Sequence, residues 1–560
     1  MRIWIRTDRP TEFRVRYDRN PELSAESPTV QGQTDAAHDF TGWVDLRGLR
    51  PAKTYFYSVE IDGKAVPIPT GDEMPLRFRT WPSRDTFAHP DLNPKGLSNA
   101  VIGVGVCNHI GGAKESAVYR NLLERHQREL DLFIMNGDYL YELGRKRIKP
   151  REIATDDARA DYKAYLDGLP DMARFFARTP MLFQFDDHEI GPEQATAEIG
   201  LKVTEKLRNA YTNPLLRDIT LQAWREYCGW ANPPMPAHRP LIFGQAEIRA
   251  GDPVLVDEGA DFSVVTRENT TSLHLHMDAK NGGVYAVEEV IDPHRLRLRP
   301  APERDESGAP YSIGTHHYYD LRKGNAHLFV LDTRSERTLY RVDRQRNPDQ
   351  RILGESQMKW LLNGVSKTDA EFIIVVSPVP WTIWHNASHV KGRAVSNAES
   401  DKEDGFIGTL AEREPLLEAF DRLKKPVVIL SGDLHSGYGV QVTDNVWEFL
   451  ISPIASDLHP LESGGNPPMG GWFDSNGRRV KIKWASAYPM AYTEEFRAQG
   501  RRHGFVYGLV RVKNIFPTGV DKTGATLWKA YDTPSLQVEV RDAESDEVVY
   551  AETISPLDAD

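Results

Sequence analysis

The stretch "DLFIMNGDYLYE", residues 131–142, runs from an apolar segment straight into a cluster of acids and phenols. Leu132–Met135 carries no polar side chain, as a short strand buried on both faces does, and the "NG" behind it marks the turn where the strand ends. Strands of that kind belong to α/β sheets, and such sheets gather ligands at the ends of their strands. Asp138, Tyr139, Tyr141 and Glu142 therefore stand where a ligand would be held.

The same texture extends outward. "AVIGVGV" (100–106) reads as a strand, and "KESAVYRNLLERHQREL" (114–130) puts Val118, Leu122 and Leu123 on one face of a helix. Strand, helix and strand in succession predict a parallel sheet. The pattern returns in "HLFVLD" (327–332), "EFIIVVSPV" (371–379) and "PVVILSGD" (426–433). Residues 240–313 differ: "DFSVV", "SLHLHMD", the turn "KNGG", "VYAVEEVID" and "HRLRLRP" predict a β-rich insertion. "LQVEVRDAESDEVVYAETI" (536–554) predicts a closing hairpin.

The first eighty or so residues form a unit of their own. "IWIRT", "EFRVRYD", "GWVDL" and "TYFYSVEIDG" alternate apolar and polar residues between regularly spaced turns, the pattern of a small antiparallel sandwich. "LRGLRPAKTYFYSVEIDG" (46–63) resembles fibronectin type III modules, in which a leucine, a proline and a tyrosine mark a sandwich corner. "WPSRDTFAHPDLNPKGLSN" (81–99) reads as a linker.

At 560 residues the chain is long enough for two or three domains. A net charge of -12 with no compensating basic block speaks against general binding to nucleic acid or anionic membranes. No apolar run reaches the roughly eighteen residues that a membrane span requires. No leader pattern opens the sequence, which predicts a cytoplasmic protein or an exported one already trimmed. Two cysteines, Cys107 and Cys228, rule out a disulfide framework; Cys228 reads as structural.

Four strand ends carry chemistry: "GVGVCNH" with Cys107, "MNGDYLYE" with Asp138 and Tyr141, "FQFDDHEI" with Asp186, Asp187 and His188, and "ILSGDLHSG" with Asp433 and His435. A parallel sheet would bring all four to one edge. Carboxylates, an imidazole, a thiolate and a phenolate together suit a hard trivalent ion beside a divalent one. His274 and His276 fall on one strand face but have no third ligand in view and make a poor metal site.

The set resembles the alkaline phosphatase D (PhoD-like) family of calcineurin-like metallophosphatases, whose pattern is a cysteine after the first strand, "GDYxYE", "DDHE" and "GDxH". "VLDTRSER", "ILGESQMKWL" and "EFLISPIAS" resemble family segments in the same order, so the likeness covers most of residues 95–515. The resemblance implies an α/β fold: a metallophosphatase β-sandwich flanked by helices in four layers (αββα), with the fibronectin III-like domain before it and the β-rich insertion within it. The implied divisions are 1–82, 98–239, 240–313 for the insertion, 314–518, and a C-terminal β segment at 519–560.

By the same resemblance, Cys107, Asp138, Tyr141 and His435 bind ferric iron. Asp138 bridges to a divalent ion held with Asp187 and Asp433, calcium first among calcium, manganese, magnesium and zinc. Tyr141 is three residues past Asp138, about one helical turn, so that both face one ion; Tyr139 packs in the core. The implied activity is metal-dependent hydrolysis of a phosphoester substrate. A hydroxide between the metals attacks phosphorus, His188 acts as the acid beside Asp187, and Asp186 and Glu189 orient it. Monoester and diester specificity stay open, as does a non-catalytic surface or carbohydrate-binding protein with a degenerate core. The chain departs from the family at Ser377, where a histidine is usual, and at "IGPEQAT" after "DDHE", where asparagines are usual; His385 and His389 are candidate replacements.

Overall fold

The computed structural model describes residues 1–66, 75–148, 152–190, 197–202, 216–235, 240–385, 403–486 and 504–556. Its centre is a pair of facing sheets. In the first, Ala100–Gly105, Leu132–Asn136 and Met181–Gln184 run parallel. Three long strands, Val506–Val520, Thr526–Asp542 and Val548–Ile554, continue that sheet antiparallel. The second has eight strands, with Ala326–Val330, Phe372–Ser377, Val427–Ser431 and Val446–Leu450 parallel at its middle. Two facing mixed sheets, as in the sandwich that the family resemblance implies, stand where strand–helix–strand texture alone suggests one parallel sheet, and the four chemistry-bearing strand ends are shared between them.

The unbroken apolar runs follow from this stacking. Successive side chains of a strand point to opposite faces. Leu132 and Ile134 enter the core between the two sheets, whereas Phe133 and Met135 enter the core beneath the helices Thr155–Gly168, Pro170–Arg178 and Arg217–Tyr227. Ile374 and Val376 share the inter-sheet core, while Ile373 and Val375 face the helices Gly354–Lys367 and Leu410–Arg422. Every position is covered, so no polar alternation appears. Gly103 is required where it sits, because a Cβ there would meet the Phe133 ring at 2.3 Å.

The helix expected over 114–130 is broken. It forms as Ile110–Glu115, Val118–Asn121 and a π-helical turn over Leu122–His126; Val118 and Leu122 are buried and Leu123 is half-buried.

At the N-terminus, Arg2–Arg6 pairs with Thr41–Asp45, and a second small sheet is built on Glu12–Asp18 and Thr54–Ile61. Both enclose a core that includes Ile3, Phe13, Val15, Val44, Tyr57 and Phe78. The Arg50 backbone N–H donates to the Tyr55 hydroxyl at 2.9 Å, closing the corner that "LRPAKTY" spells out.

Six strands between Ile242 and Thr315 close into a barrel with its own core around Leu255, Leu273, Leu296 and Tyr311. The barrel is bolted to the rest through a fully buried ion pair. Arg217 Nε donates to Asp218 Oδ1 at 2.7 Å, and the guanidinium also reaches Ser272 Oγ at 3.1 Å and the Ser335 carbonyl at 2.9 Å. Ser312 Oγ donates to Asp218 Oδ2 at 2.7 Å. Both barrel serines lie on strands, so the pair fixes the barrel against the loop that follows Val330. His274 is buried beside this pair, its Nε2 3.2 Å from Ser272 Oγ, and among the described residues neither it nor His276 joins a cluster able to hold a metal. No helix among the described residues is long and apolar enough to cross a membrane.

Candidate metal centre

Three of the residues singled out from the sequence sit in the left-handed backbone region at strand ends: Cys107 (φ 57°), Asp138 (φ 52°) and Asp433 (φ 67°). Such a conformation in a non-glycine residue costs on the order of 1–3 kcal/mol and persists where surrounding structure imposes it. Here it turns each side chain back over the end of its sheet.

Cys107, Asp138 and His435 bring a sulfur, a carboxylate oxygen and an imidazole nitrogen within 4.8 Å of one another. The Tyr141 hydroxyl joins them, 3.2 Å from Asp138 Oδ2 and 2.7 Å from His435 Nε2. Cys107 Sγ lies 3.5 Å from Asp138 Oδ2 and receives a hydrogen bond from Ser452 Oγ at 3.3 Å. Residues 138–141 are not helical, so the positive φ at Asp138, rather than a helical turn, brings Tyr141 alongside it. Tyr139 points the other way and stacks on Tyr162 in the core. Cys228 is buried in the same core.

Asp138 also belongs to a second group with Asp186, Asp187 and Asp433, and to a third with Asp187 and His188. Beyond Asp433 the cluster continues: His385 Nδ1 is 3.0 Å from Asp433 Oδ2, and Asp404 completes a group with both. Ser377 does not enter the site; its hydroxyl donates to the Val379 carbonyl at 2.8 Å. His389 and the segment "GPEQAT" lie outside the described residues.

The support around these groups differs from the sequence expectation. Asp186 does not orient His188. It is clamped by Arg334, whose Nη2 lies 2.8 Å from Asp186 Oδ2 and whose Nη1 lies 3.2 Å from Asp404 Oδ1. Glu189 does not orient His188 either: its carboxylate accepts the backbone N–H groups of Asp138, Tyr139 and Asp186 at 3.1, 2.5 and 2.8 Å, fixing two strand ends together. The partner of His188 is Glu142, with Oε2 2.9 Å from Nδ1. Arg145 steadies the same turn by donating to the His188 carbonyl at 3.0 Å.

Glu142 stands in the opening motif and was legible as a site residue. Arg334 sits in "VLDTRSER", where a charged pair directly after an apolar strand is the only local signal. Asp404, in "DKEDGF", gives none.

The electrostatics are those of an anion cluster in want of a cation. Burial lifts the Asp138 carboxyl well above the usual range, and the charge of Asp187 adds to it. Asp186 is pushed up to about 8 by burial despite Arg334, and Glu189 to about 7 by burial despite its three N–H donors. Burial likewise lifts the Cys107 thiol and the Tyr141 phenol, each reinforced by the other neighbouring acids. Burial draws His435 down to about 3, aided by repulsion from His385 and His188. For His188 burial works in the same direction but is outweighed by Glu142 and Asp187, which hold it well above its ordinary value. Asp138 Oδ1 and Asp187 Oδ1 are buried without a hydrogen-bond partner among the described residues. Buried carboxylate oxygens without hydrogen bonds, converging with a thiol, a phenol and imidazoles, fit metal ions.

A family model described as PhoD-like phosphatase matches residues 102–249 and 299–488, its interruption falling within the barrel. A second, described as a domain of unknown function, matches residues 1–78. Alkaline phosphatase D of Bacillus subtilis (strain 168) is 22% identical over 442 residues, which are 77% of this chain and 58% of that protein. The chain thus spans less than two thirds of that relative's length. The solved structure of PhoD superposes with a TM-score of 0.56 at 15% identity, covering 99% of this chain and 90% of that one.

Proposed function

The chain belongs to the PhoD-like phosphatase family, and from that premise we propose that it is a metal-dependent phosphoester hydrolase working at the Asp138 cluster. The observation that carries this reading is the convergence of Cys107, Asp138, Tyr141, Asp187, Asp433 and His435 on one buried site. In this reading Cys107, Asp138, Tyr141 and His435 hold ferric iron. Asp138, Asp187 and Asp433 hold a divalent ion, calcium first, with His385 supplying the imidazole that Ser377 does not. When bound, the two cations activate water and neutralise charge that develops on the phosphoryl oxygens. The fold is then the four-layer metallophosphatase sandwich in two parts, 98–239 and 314–518, with the insertion 240–313, a fibronectin III-like domain at 1–82 and a C-terminal segment at 519–560.

The chain's own residues supply the rest. His188 presents Nε2 to the leaving oxygen and gives it a proton, while Glu142 accepts from Nδ1, fixing the tautomer and the ring plane. Arg334 neutralises Asp186 and Asp404, which keeps those carboxylates in place beside the second ion. The net charge of -12 speaks against general nucleic-acid binding and leaves both phosphomonoesters and phosphodiesters open as substrates.

His188→Ala should slow turnover by about 10²–10⁴ with metal content unchanged, least for nitrophenyl esters, whose leaving group needs no proton. Glu142→Gln should lose a smaller factor, about 10–100, with the same dependence on leaving group. Loss of metal in His188→Ala would instead make His188 a ligand.

Colour gives a second check. Tyr141 as an iron-bound phenolate produces a visible absorption band, so Tyr141→Phe should shift or bleach it and weaken iron binding. Tyr139→Phe, in the core, should leave the spectrum nearly unchanged. A colourless, iron-free and fully active enzyme would overturn the iron assignment. Elemental analysis of the purified protein, with aryl monoester and diester hydrolysis measured side by side, tests the whole reading; hydrolysis by metal-free protein would sink it.

A further inference from the structure

The segment "SPIAS", residues 452–456, runs alongside the loop that carries Cys107. The backbone N–H groups of Ile454 and Ala455 donate to the carbonyls of Val106 and Cys107 at 2.7 and 3.2 Å, and the His109 N–H donates back to the Ala455 carbonyl at 3.0 Å. One segment follows Val446–Leu450 of the second sheet and the other Ala100–Gly105 of the first, so these bonds lace the ends of the two sheets together. Ser452 leads the segment. It is fully buried, and its hydroxyl donates to Cys107 Sγ at 3.3 Å.

Three other polar groups neighbour that sulfur: Asp138 Oδ2 at 3.5 Å, the Asp433 carbonyl at 3.7 Å and the Tyr141 phenol. An ionised carboxylate and a carbonyl only accept hydrogen bonds, whereas a serine hydroxyl also donates. A cysteine that ligates a metal does so as the thiolate and has no hydrogen left to give. Tyr141, bound to the same metal, is ionised too. Of the four neighbours, only Ser452 then still carries a hydrogen for the sulfur. Hydrogen bonds to a ligating sulfur draw electron density from it and tune the reduction potential of the metal it holds.

We propose that Ser452 is a positioning residue of the first metal: its hydroxyl donates to the Cys107 thiolate, draws electron density out of the iron–sulfur bond and so sets how readily the iron is reduced. The inference rests on the reading in which Cys107 binds iron.

The test compares the purified wild-type holoenzyme with Ser452→Ala and Cys107→Ala by resonance Raman spectroscopy and redox titration. The wild type is expected to show an iron–sulfur stretch that is missing in Cys107→Ala and that shifts when the protein is equilibrated in heavy water. Ser452→Ala should keep its iron and its near-ultraviolet dichroism. Its iron–sulfur stretch should rise in frequency and lose the heavy-water shift. Its sulfur-to-iron absorption band should move to longer wavelength, and its iron should take up an electron at a lower potential. A wild type without an iron–sulfur stretch would remove the ligand reading and this proposal with it. A stretch that Ser452→Ala leaves in place, or that shifts in heavy water equally in both proteins, would overturn the role of Ser452 alone.

Discussion

Asp138→Asn is expected to abolish phosphoester hydrolysis, a loss on the order of 10³-fold or more, and to lower the content of both metals together. The double loss is the diagnostic part. Asp138 lies in the cluster with Cys107 and His435 and also in the cluster with Asp186, Asp187 and Asp433, so among the described residues it is the one carboxylate that faces both. Asparagine keeps the shape but offers no negative charge, and its N–H donors would point at a cation. His435→Ala, at a residue that among the metal-holding groups belongs to the first and also meets the Tyr141 hydroxyl, should deplete iron more than the second ion. If Asp138→Asn retains near-normal rate and metal, the centre has been assigned to the wrong residues.

The largest effect on stability is expected at Asp218. Removing one partner of a buried pair leaves an uncompensated charge and typically destabilises by about 3–5 kcal/mol. Asp218→Ala would strand Arg217, which is fully buried, and release Ser312 of the barrel as well. Urea unfolding should register the loss, and a change under about 1 kcal/mol would show that the barrel is held by other contacts.

The same residue sets a pH dependence. Burial alone would raise the Asp218 carboxyl, but the charge of Arg217, then that of His274, brings it down to about 2 from the ordinary 3.8. A group whose folded pKa is depressed contributes fully above its unfolded pKa and loses that contribution as pH falls through the folded value. About 2 kcal/mol should therefore disappear between pH about 4 and about 2, and this loss should be missing in Asp218→Asn.

Much of the site was legible because its donors follow strands buried on both faces, and an acid at the end of such a run has little else to do. Asp138, Asp187 and Asp433 are of this kind. What surrounds them was not legible. The Arg334 side chain reaches Asp186 across 148 positions of sequence, and the partner of His188 is Glu142 rather than its immediate neighbours. Local pattern carries no record of such pairings. The route from Asp138 to Tyr141 was misread for a related reason: spacing alone suggests a helical turn, whereas a left-handed residue delivers the same contact. Local texture alone suggested one parallel sheet, because Ala100–Gly105 takes one neighbour from nearby and the other from the far end of the chain.

That last pairing bears on how the molecule is made. Asn99 reaches the Ile515 carbonyl across 416 residues, and Val506–Val520 covers the flank of Ala100–Gly105. Until the ribosome has delivered that hairpin, the first strand presents an open row of N–H and C=O groups, a template for pairing with other chains. Contacts this distant in sequence close slowly. The nascent polypeptide therefore spends most of its synthesis with half of one sheet missing and its first strand sticky, which marks the interval in which a chaperone has the most to protect.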